Sequence, residues 1–156
     1  MKILYICTHN RCRSIMFEAI TNQLAKGHII AQSAGSHPAG VVHPLALRYL
    51  QESNISVEGL QSQSWDAFEN FKPDVVITVC DAAAGETCPI WFGNAIKIHW
   101  GLSDPSQIEG SDEAKALGFR ACIAEIKKRV AKLLTIAEKE LSPTELKAEL
   151  AKFGAQ

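Results

Sequence analysis

A cysteine between an apolar strand-like run and a helical pattern is the feature that most constrains this chain. Residues 2–6 are largely apolar and typical of a strand, and a helical pattern begins at Ser14. Between them lie Cys7, Thr8, His9, Asn10, Arg11, Cys12 and Arg13. Such a loop lets backbone N–H groups converge on one anion, while the helix N-terminus adds positive potential and Arg13 adds a two-pronged donor. The segment therefore predicts an oxyanion-binding cradle.

The same field favours the thiolate of Cys7. A positive loop can lower a cysteine pKa from about 8.5 to roughly 3.5–7.5, so Cys7 is predicted to be a nucleophile. The alternative is a structural cysteine buried at a strand end, which leaves Arg13 and Ser14 without a role. A nucleotide-binding P-loop is excluded because no Gly-Lys-Ser/Thr follows.

Composition limits the classes of function. The 156 residues predict one domain, and 47% hydrophobic with 21% charged residues is ordinary for a soluble protein. A net charge of −1 argues against nucleic acid or a membrane surface as a partner. The opening apolar run is too short for a signal peptide or a membrane span, so we expect a cytoplasmic protein. In that compartment static disulfides are rare.

Strand-like and helix-like segments alternate along the chain. The predicted strands cover residues 2–7, 29–33, 74–79 and 95–99, and the predicted helices cover residues 14–25, a segment from residue 44 and a long last segment reaching residue 137. This order predicts a single α/β domain, a four-stranded parallel sheet with helices on both faces. Cys122 lies on the apolar stripe of the long helix and is predicted to be core.

The end of the chain is predicted to be a separate piece. Ser142 and Glu145 form a capping-box pattern that opens a C-terminal helix. Few large apolar residues follow, so we expect this tail to be loosely attached. The predicted division is residues 1–141 for the main domain and 142–156 for a helical extension.

In parallel sheets the active site lies at the carboxyl ends of the strands, where Cys7, Cys80 and Trp100 are predicted to meet. Displacing oxygen from an anion needs a general acid. Asp104 follows the fourth predicted strand, and Pro105 restricts its geometry. Asp104 is therefore the candidate acid.

Two thiols, Cys80 and Cys88, flank seven mostly small residues after the third predicted strand. Gly85 is available there for unusual dihedral angles. Such a segment rearranges at low cost, as a thiol relay requires. Two unrelated core cysteines are the alternative. A zinc site with His99 or His37 is less consistent, since structural zinc favours tight Cys-x2-4-Cys spacing.

Residues 7–14 together with Ser103-Asp104-Pro105 resemble the low-molecular-weight protein tyrosine phosphatase superfamily. Within it, the Cys80–Cys88 segment and the run from His99 to Pro105 are similar to the disulfide-cascade arsenate reductases. The resemblance covers roughly residues 2–135. The phosphatases follow the Asp-Pro with aromatic residues, whereas Ser106, Gln107 and Ile108 stand here.

The resemblance implies a mechanism. Arsenate would bind the loop amides of residues 8–13 and Arg13, Cys7 would attack arsenic, and Asp104 would protonate the departing oxygen. Cys80 would then attack Cys7 and release arsenite, and Cys88 would take over the disulfide for reduction by thioredoxin or glutaredoxin. Asn10 would support the loop in left-handed geometry, and Ser14 would hydrogen-bond the Cys7 sulfur.

Several further expectations come with the resemblance. Phosphate and sulfate would compete with arsenate, no cofactor would be tightly bound, and the chain would be a monomer. Cys12 would either pack or form a protective disulfide with Cys7. Potassium is bound in some relatives by residues that match Asn10, Glu18, Ser33, Ser64 and Asp66. Two alternatives stay open: a phosphatase for phosphotyrosine or small phosphoesters, and a non-catalytic redox or oxyanion sensor.

Overall fold

The computed structural model describes residues 1–86, 89 and 92–154, and its centre is a four-stranded sheet. The strands are β1 (Lys2–Ile6), β2 (Ile30–Ala34), β3 (Val75–Thr78) and β4 (Ile96–His99). Their order is β2-β1-β3-β4, and every neighbouring pair is parallel. The predicted parallel α/β architecture is confirmed, with each strand within one or two residues of its predicted bounds.

Within the described residues, the helices around the sheet are α1 (Arg13–Ala25), α2 (Pro44–Glu52), α3 (Asp81–Ala84), α4 (Asp112–Ala137) and α5 (Pro143–Gly154). Short 3-10 segments cover Trp65–Phe71 and Pro105–Gln107. The sequence did not predict α3 or the 3-10 segments, because elements this short carry little periodicity. Within the described ranges, no helix is both long and apolar enough to cross a bilayer.

The two central strands are covered on both faces. Ile3, Leu4, Tyr5 and Ile6 of β1 are all buried although alternate side chains point to opposite faces of the sheet. The continuous apolar run of β3 is buried in the same way, as expected for a parallel sheet with helices on both faces.

The strand register aligns the ends of the strands at the site edge. Ile6 is paired with Thr78, and Thr78 is paired with His99. Cys7, Cys80 and Trp100 follow these residues within two positions. All three therefore leave the sheet at one edge, as the sequence predicted.

The C-terminal helix is more firmly attached than predicted. Leu150 on α5 is completely buried, and its carbonyl accepts a 2.7 Å hydrogen bond from the Trp100 indole N–H. The Ser142 hydroxyl accepts from the Glu145 N–H, as the capping pattern predicted. The expectation of a loose tail is wrong, because one buried leucine and one buried indole suffice to fix an otherwise polar helix on β4.

Candidate active site

Asn10 shapes the loop between β1 and α1. It is buried with φ of 44°, the left-handed geometry predicted for it. Its side-chain N–H donates to the Ser14 hydroxyl at 2.8 Å, and its side-chain oxygen accepts from the Gln63 N–H at 2.8 Å. Asn10 thus ties the loop to α1 on one side and to the neighbouring loop on the other.

Ser14 is fully buried but does not hold the position expected of its hydroxyl. Its oxygen accepts from Asn10, and no hydrogen bond within the described part of the chain joins it to the Cys7 sulfur. Its contact with the loop therefore passes through Asn10 rather than through the thiol.

Gly35 allows the close approach of a second loop. A Cβ atom at this position would lie 2.4 Å from the carbonyl oxygens of both Cys7 and Thr8. Only glycine fits there without moving the anion loop. Sequence reasoning missed this contact, since nothing local indicates which backbone Gly35 meets.

Arg13 reaches across the site to the segment after β4. Its Nη1 donates to the Leu102 carbonyl at 2.9 Å, and its Nη2 lies 3.5 Å from the Asp104 carboxylate. Its Nε is buried and has no hydrogen-bond partner among the residues that the structure describes. Since a buried unpaired donor is costly, this N–H is suited to an oxyanion in the cradle.

The Asp104 carboxyl is held in place by its own turn. Its Oδ1 accepts from the Ser106 N–H at 2.9 Å and from the Ser106 hydroxyl at 2.6 Å. The structure thus brings Asp104 beside Arg13 at the mouth of the loop, where a general acid is needed. Ser106, noted in the sequence only for not being aromatic, orients this carboxyl.

Arg129 was missed by sequence reasoning. It lies buried on α4 and donates to the carbonyls of Trp100 and Gly101 at 3.2 Å each, while its Nε pairs with Glu125 at 3.0 Å. It therefore anchors the segment that carries Asp104. An arginine next to an apolar stripe looks like an ordinary surface residue, so no local signal identified it.

Cys80 lies against the anion loop. It caps α3, and its sulfur accepts from the Ala83 N–H and from the Thr8 N–H, both at 3.4 Å. The Cys7 and Cys80 thiols also lie close enough for each to shift the pKa of the other. Two thiols that the sequence separates by more than seventy residues therefore meet at the base of the cradle.

The two thiols of this pair shift each other's pKa in opposite directions. Interaction with Cys7, together with the Thr8 and Ala83 amides, lowers the pKa of Cys80 to about 5. Interaction with Cys80 and burial raise the pKa of Cys7, and nearby Arg13 only partly offsets them. The expected lowering of the Cys7 pKa is wrong for this arrangement, because the Thr8 amide donates to Cys80. The two thiols titrate as one unit that loses its first proton easily.

Not every loop amide is free for an anion. The Thr8 N–H is taken by Cys80, and the Asn10 N–H donates to the Cys7 carbonyl at 3.2 Å. His9 lies exposed on the rim with its ring Nδ1 3.0 Å from the His37 carbonyl, and the Arg11 carbonyl accepts from the His43 N–H. The cradle expected from residues 8–13 is thus partly filled by the protein's own groups.

The other cysteines differ in position. Cys12 and Cys122 are buried and free, and burial raises the pKa of both, that of Cys122 to about 12. Cys122 is core, as predicted. Cys88 lies outside the described residues. Gly85 ends α3 with φ of −87°, so the expectation of an unusual dihedral there is wrong.

The potassium candidates form two separate contacts. Ser33 donates to the Glu18 carboxyl at 2.6 Å, and burial raises the pKa of Glu18 to about 7. The Ser64 hydroxyl accepts from the Asp66 N–H. Among the residues that the structure describes, no three carboxylate, thiol or imidazole side chains form a metal-binding cluster.

Comparison with known proteins agrees with this geometry. The family model described as low molecular weight phosphotyrosine protein phosphatase matches residues 2–150, which includes most of α5. Arsenate reductase from Halalkalibacterium halodurans is 36% identical over 128 residues, covering 82% of this chain and 91% of that protein. Glutaredoxin arsenate reductase from Synechocystis sp. is 32% identical over 136 residues, covering 85% and 95%. The structure of thioredoxin-dependent arsenate reductase from Corynebacterium glutamicum matches with a TM-score of 0.68 at 26% identity, covering 88% of this chain and 61% of that one.

Proposed function

Because the chain belongs to the low molecular weight phosphotyrosine protein phosphatase family and carries a second thiol beside its loop cysteine, we propose that it reduces arsenate to arsenite. The observation that carries the proposal is the position of Cys80 beside Cys7, with its sulfur 3.4 Å from the Thr8 amide of the anion loop. A hydrolytic phosphatase needs one thiol, whereas reduction of arsenic needs two electrons from two thiols.

In the first step arsenate occupies the loop, with the unpaired Arg13 Nε–H as a donor. The adjacent Cys80 thiolate takes up the Cys7 proton, which leaves Cys7 as the thiolate that attacks arsenic. A sulfur–arsenic bond forms, and one oxygen departs as water with a proton from Asp104.

In the second step Cys80 loses its proton again and attacks the Cys7 sulfur. A sulfur–sulfur bond forms, the sulfur–arsenic bond breaks, and its electron pair stays on arsenic, which leaves as arsenite. Cys88 then attacks Cys80, and a dithiol reductant reduces the resulting disulfide. The names of the relatives support thioredoxin or glutaredoxin as that reductant.

The test compares Cys80→Ser with the wild type and with Cys122→Ser as a matched control. Arsenite release is followed over many turnovers with the thioredoxin system and the glutaredoxin system supplied separately. We expect Cys80→Ser to abolish reduction but to keep slow hydrolysis of an aryl phosphate, and Cys122→Ser to stay near wild type. Hydrolysis without any arsenate turnover in the wild type would favour the phosphatase alternative, and neither activity would favour the sensor.

Potassium, the monomeric state and the division at residue 141 remain predictions. The buried Glu18 carboxyl with Ser33 as its partner is suited to a monovalent cation that would hold it ionised. If potassium binds there, replacing KCl by NaCl at constant ionic strength should lower the thermal midpoint of the wild type but not that of Glu18→Gln.

A further inference from the structure

Glu86 contacts the anion loop through a single hydroxyl group. The Thr8 hydroxyl donates to the Glu86 carboxyl at 2.7 Å. The same hydroxyl oxygen lies 3.8 Å from the Cys80 sulfur. Glu86 therefore shares Thr8 with the thiol that performs the second step of the proposed reaction.

A threonine hydroxyl has one proton to donate. A separation of 2.7 Å is typical of a well-formed O–H···O hydrogen bond, whereas 3.8 Å to sulfur is near the outer limit of such contacts. The proton consequently lies toward Glu86, and the Thr8 hydroxyl is the weakest of the contacts that lower the pKa of Cys80, behind Cys7 and the Thr8 and Ala83 amides.

The segment that carries Cys80 is fastened at both ends. Glu86 holds its far end to the loop, and Asp81 holds its near end to β4 through the His99 ring at 3.0 Å. The Asp81 contact does not involve Thr8. It therefore offers a matched comparison in which the segment is loosened without changing the donor to Cys80.

We propose that Glu86 is a positioning residue that holds the Thr8 hydroxyl proton away from Cys80 and so keeps the Cys80 sulfur reactive toward Cys7. This inference rests on the proposed function, because it concerns the step in which the Cys7–Cys80 bond forms. The electron balance is unchanged: Cys80 attacks, the sulfur–arsenic bond breaks and arsenic keeps the pair.

Reactivity falls when a thiolate gains a donor. An extra hydrogen bond lowers the thiol pKa, and nucleophilicity falls with it at a Brønsted slope of about 0.4–0.5. Without Glu86, the Thr8 hydroxyl is free to rotate toward Cys80. The sulfur then ionises at lower pH but attacks more slowly once it is ionised.

The experiment uses Glu86→Ala, Thr8→Val, the double variant and Asp81→Ala in the full chain. Iodoacetamide alkylation of Cys80, located by peptide mass spectrometry, is measured against pH without arsenate. A second assay quenches a single turnover with arsenate and measures how fast the Cys7–Cys80 bond forms. The pH profile of Cys80 also depends on the titratable and charged groups near it, which are Cys7, Arg13, Asp81, Glu86, His99 and Asp104.

We expect Glu86→Ala to lower the pH midpoint of Cys80 alkylation by about 0.4–1 unit, the size of one hydrogen bond. Bond formation should slow about two- to threefold. Both effects should vanish when Thr8 is already valine, whereas Asp81→Ala, which removes a carboxylate next to Cys80, measures the shift caused by lost charge and a loosened segment alone.

A Glu86 effect that persists with Val at position 8 would overturn the inference. The alkylation comparison needs no arsenate. It therefore decides the role of Glu86 even if the wild type forms no Cys7–Cys80 bond with arsenate, a result that would instead defeat the proposed function.

Discussion

Arg13 combines fixed and free donors in one side chain. Nη1 is held by the Leu102 carbonyl and Nη2 faces Asp104, so the plane of the guanidinium is set before any anion binds. The buried Nε–H is then a donor without an acceptor in the described part of the chain. A lysine carries the same charge but lacks the planar fork that makes these contacts at once.

We therefore expect Arg13→Lys to lower kcat/KM for arsenate at least about tenfold, or about 1.4 kcal/mol. Arg120→Lys is the matched control, because that arginine pairs with Glu52 on the exposed surface and should give near wild-type values. Steady-state kinetics with arsenate decides the matter. Equal kcat/KM in the two variants would mean that the anion does not contact Arg13.

The site is assembled at the scale of elements by loops that touch backbone to backbone. The loop after β2 passes so close to the loop after β1 that Gly35 leaves no room for a side chain. Arg129 on α4 plays a comparable part for the segment after β4, through two backbone carbonyls. Both contacts position segments of the proposed active site without themselves reaching the anion loop's binding cradle.

Gly35→Ala should displace the anion loop, since its Cβ would lie 2.4 Å from two carbonyl oxygens. We expect a loss of about 1–3 kcal/mol in the free energy of unfolding and, from a shift of about 1 Å, up to about a hundredfold in kcat. Gly85→Ala is the stability control, because its nearest atom is 3.7 Å away and its φ is ordinary. Urea denaturation and single-turnover rates measure the two effects. A Gly35→Ala protein with wild-type stability and activity would show that the close contact of Gly35 does not position the anion loop.

At the scale of the whole molecule, α5 completes the core beside the site. Its buried Leu150 lies at the strand end that precedes the Asp104 segment, with the carbonyl bonded to Trp100. Helix α5 thus packs against the same sheet to which β1 belongs.

Leu150→Ala should cost about 2–4 kcal/mol in the free energy of unfolding, because it removes a fully buried side chain. Leu117→Ala is the control, since that leucine is 60% exposed on α4 and should change stability by no more than about 0.5 kcal/mol. Chemical denaturation gives both values. Equal losses would mean that α5 does not belong to the folded core.

The relay also concerns the molecule as a whole, because its last disulfide must reach an external reductant. After one turnover without reductant, peptide mapping should find Cys80 joined to Cys88, with Cys7 and Cys122 free. Burial keeps Cys122 protonated and inaccessible, so it cannot compete. A dominant Cys7–Cys12 bond would instead indicate a redox-regulated phosphatase.

The sequence by itself determined the parts of this protein whose causes are local. Apolar periodicity located the strands and the long helices, the cysteine-to-arginine loop indicated the anion site, and Asn10 took the left-handed geometry that asparagine tolerates. The parallel sheet then required the strand ends to meet at one edge. These features depend on residue types and their spacing within short stretches of the sequence.

Only the tertiary structure decided which distant groups share a donor. Packing brings distant segments together in three hydrogen bonds. They run from Arg13 to the Leu102 carbonyl, from Thr8 to Glu86 and from Trp100 to the Leu150 carbonyl. The order of the two thiol pKa values was misjudged for the same reason. The lowered pKa of Cys80 depends on amides and a thiol contributed by separate loops.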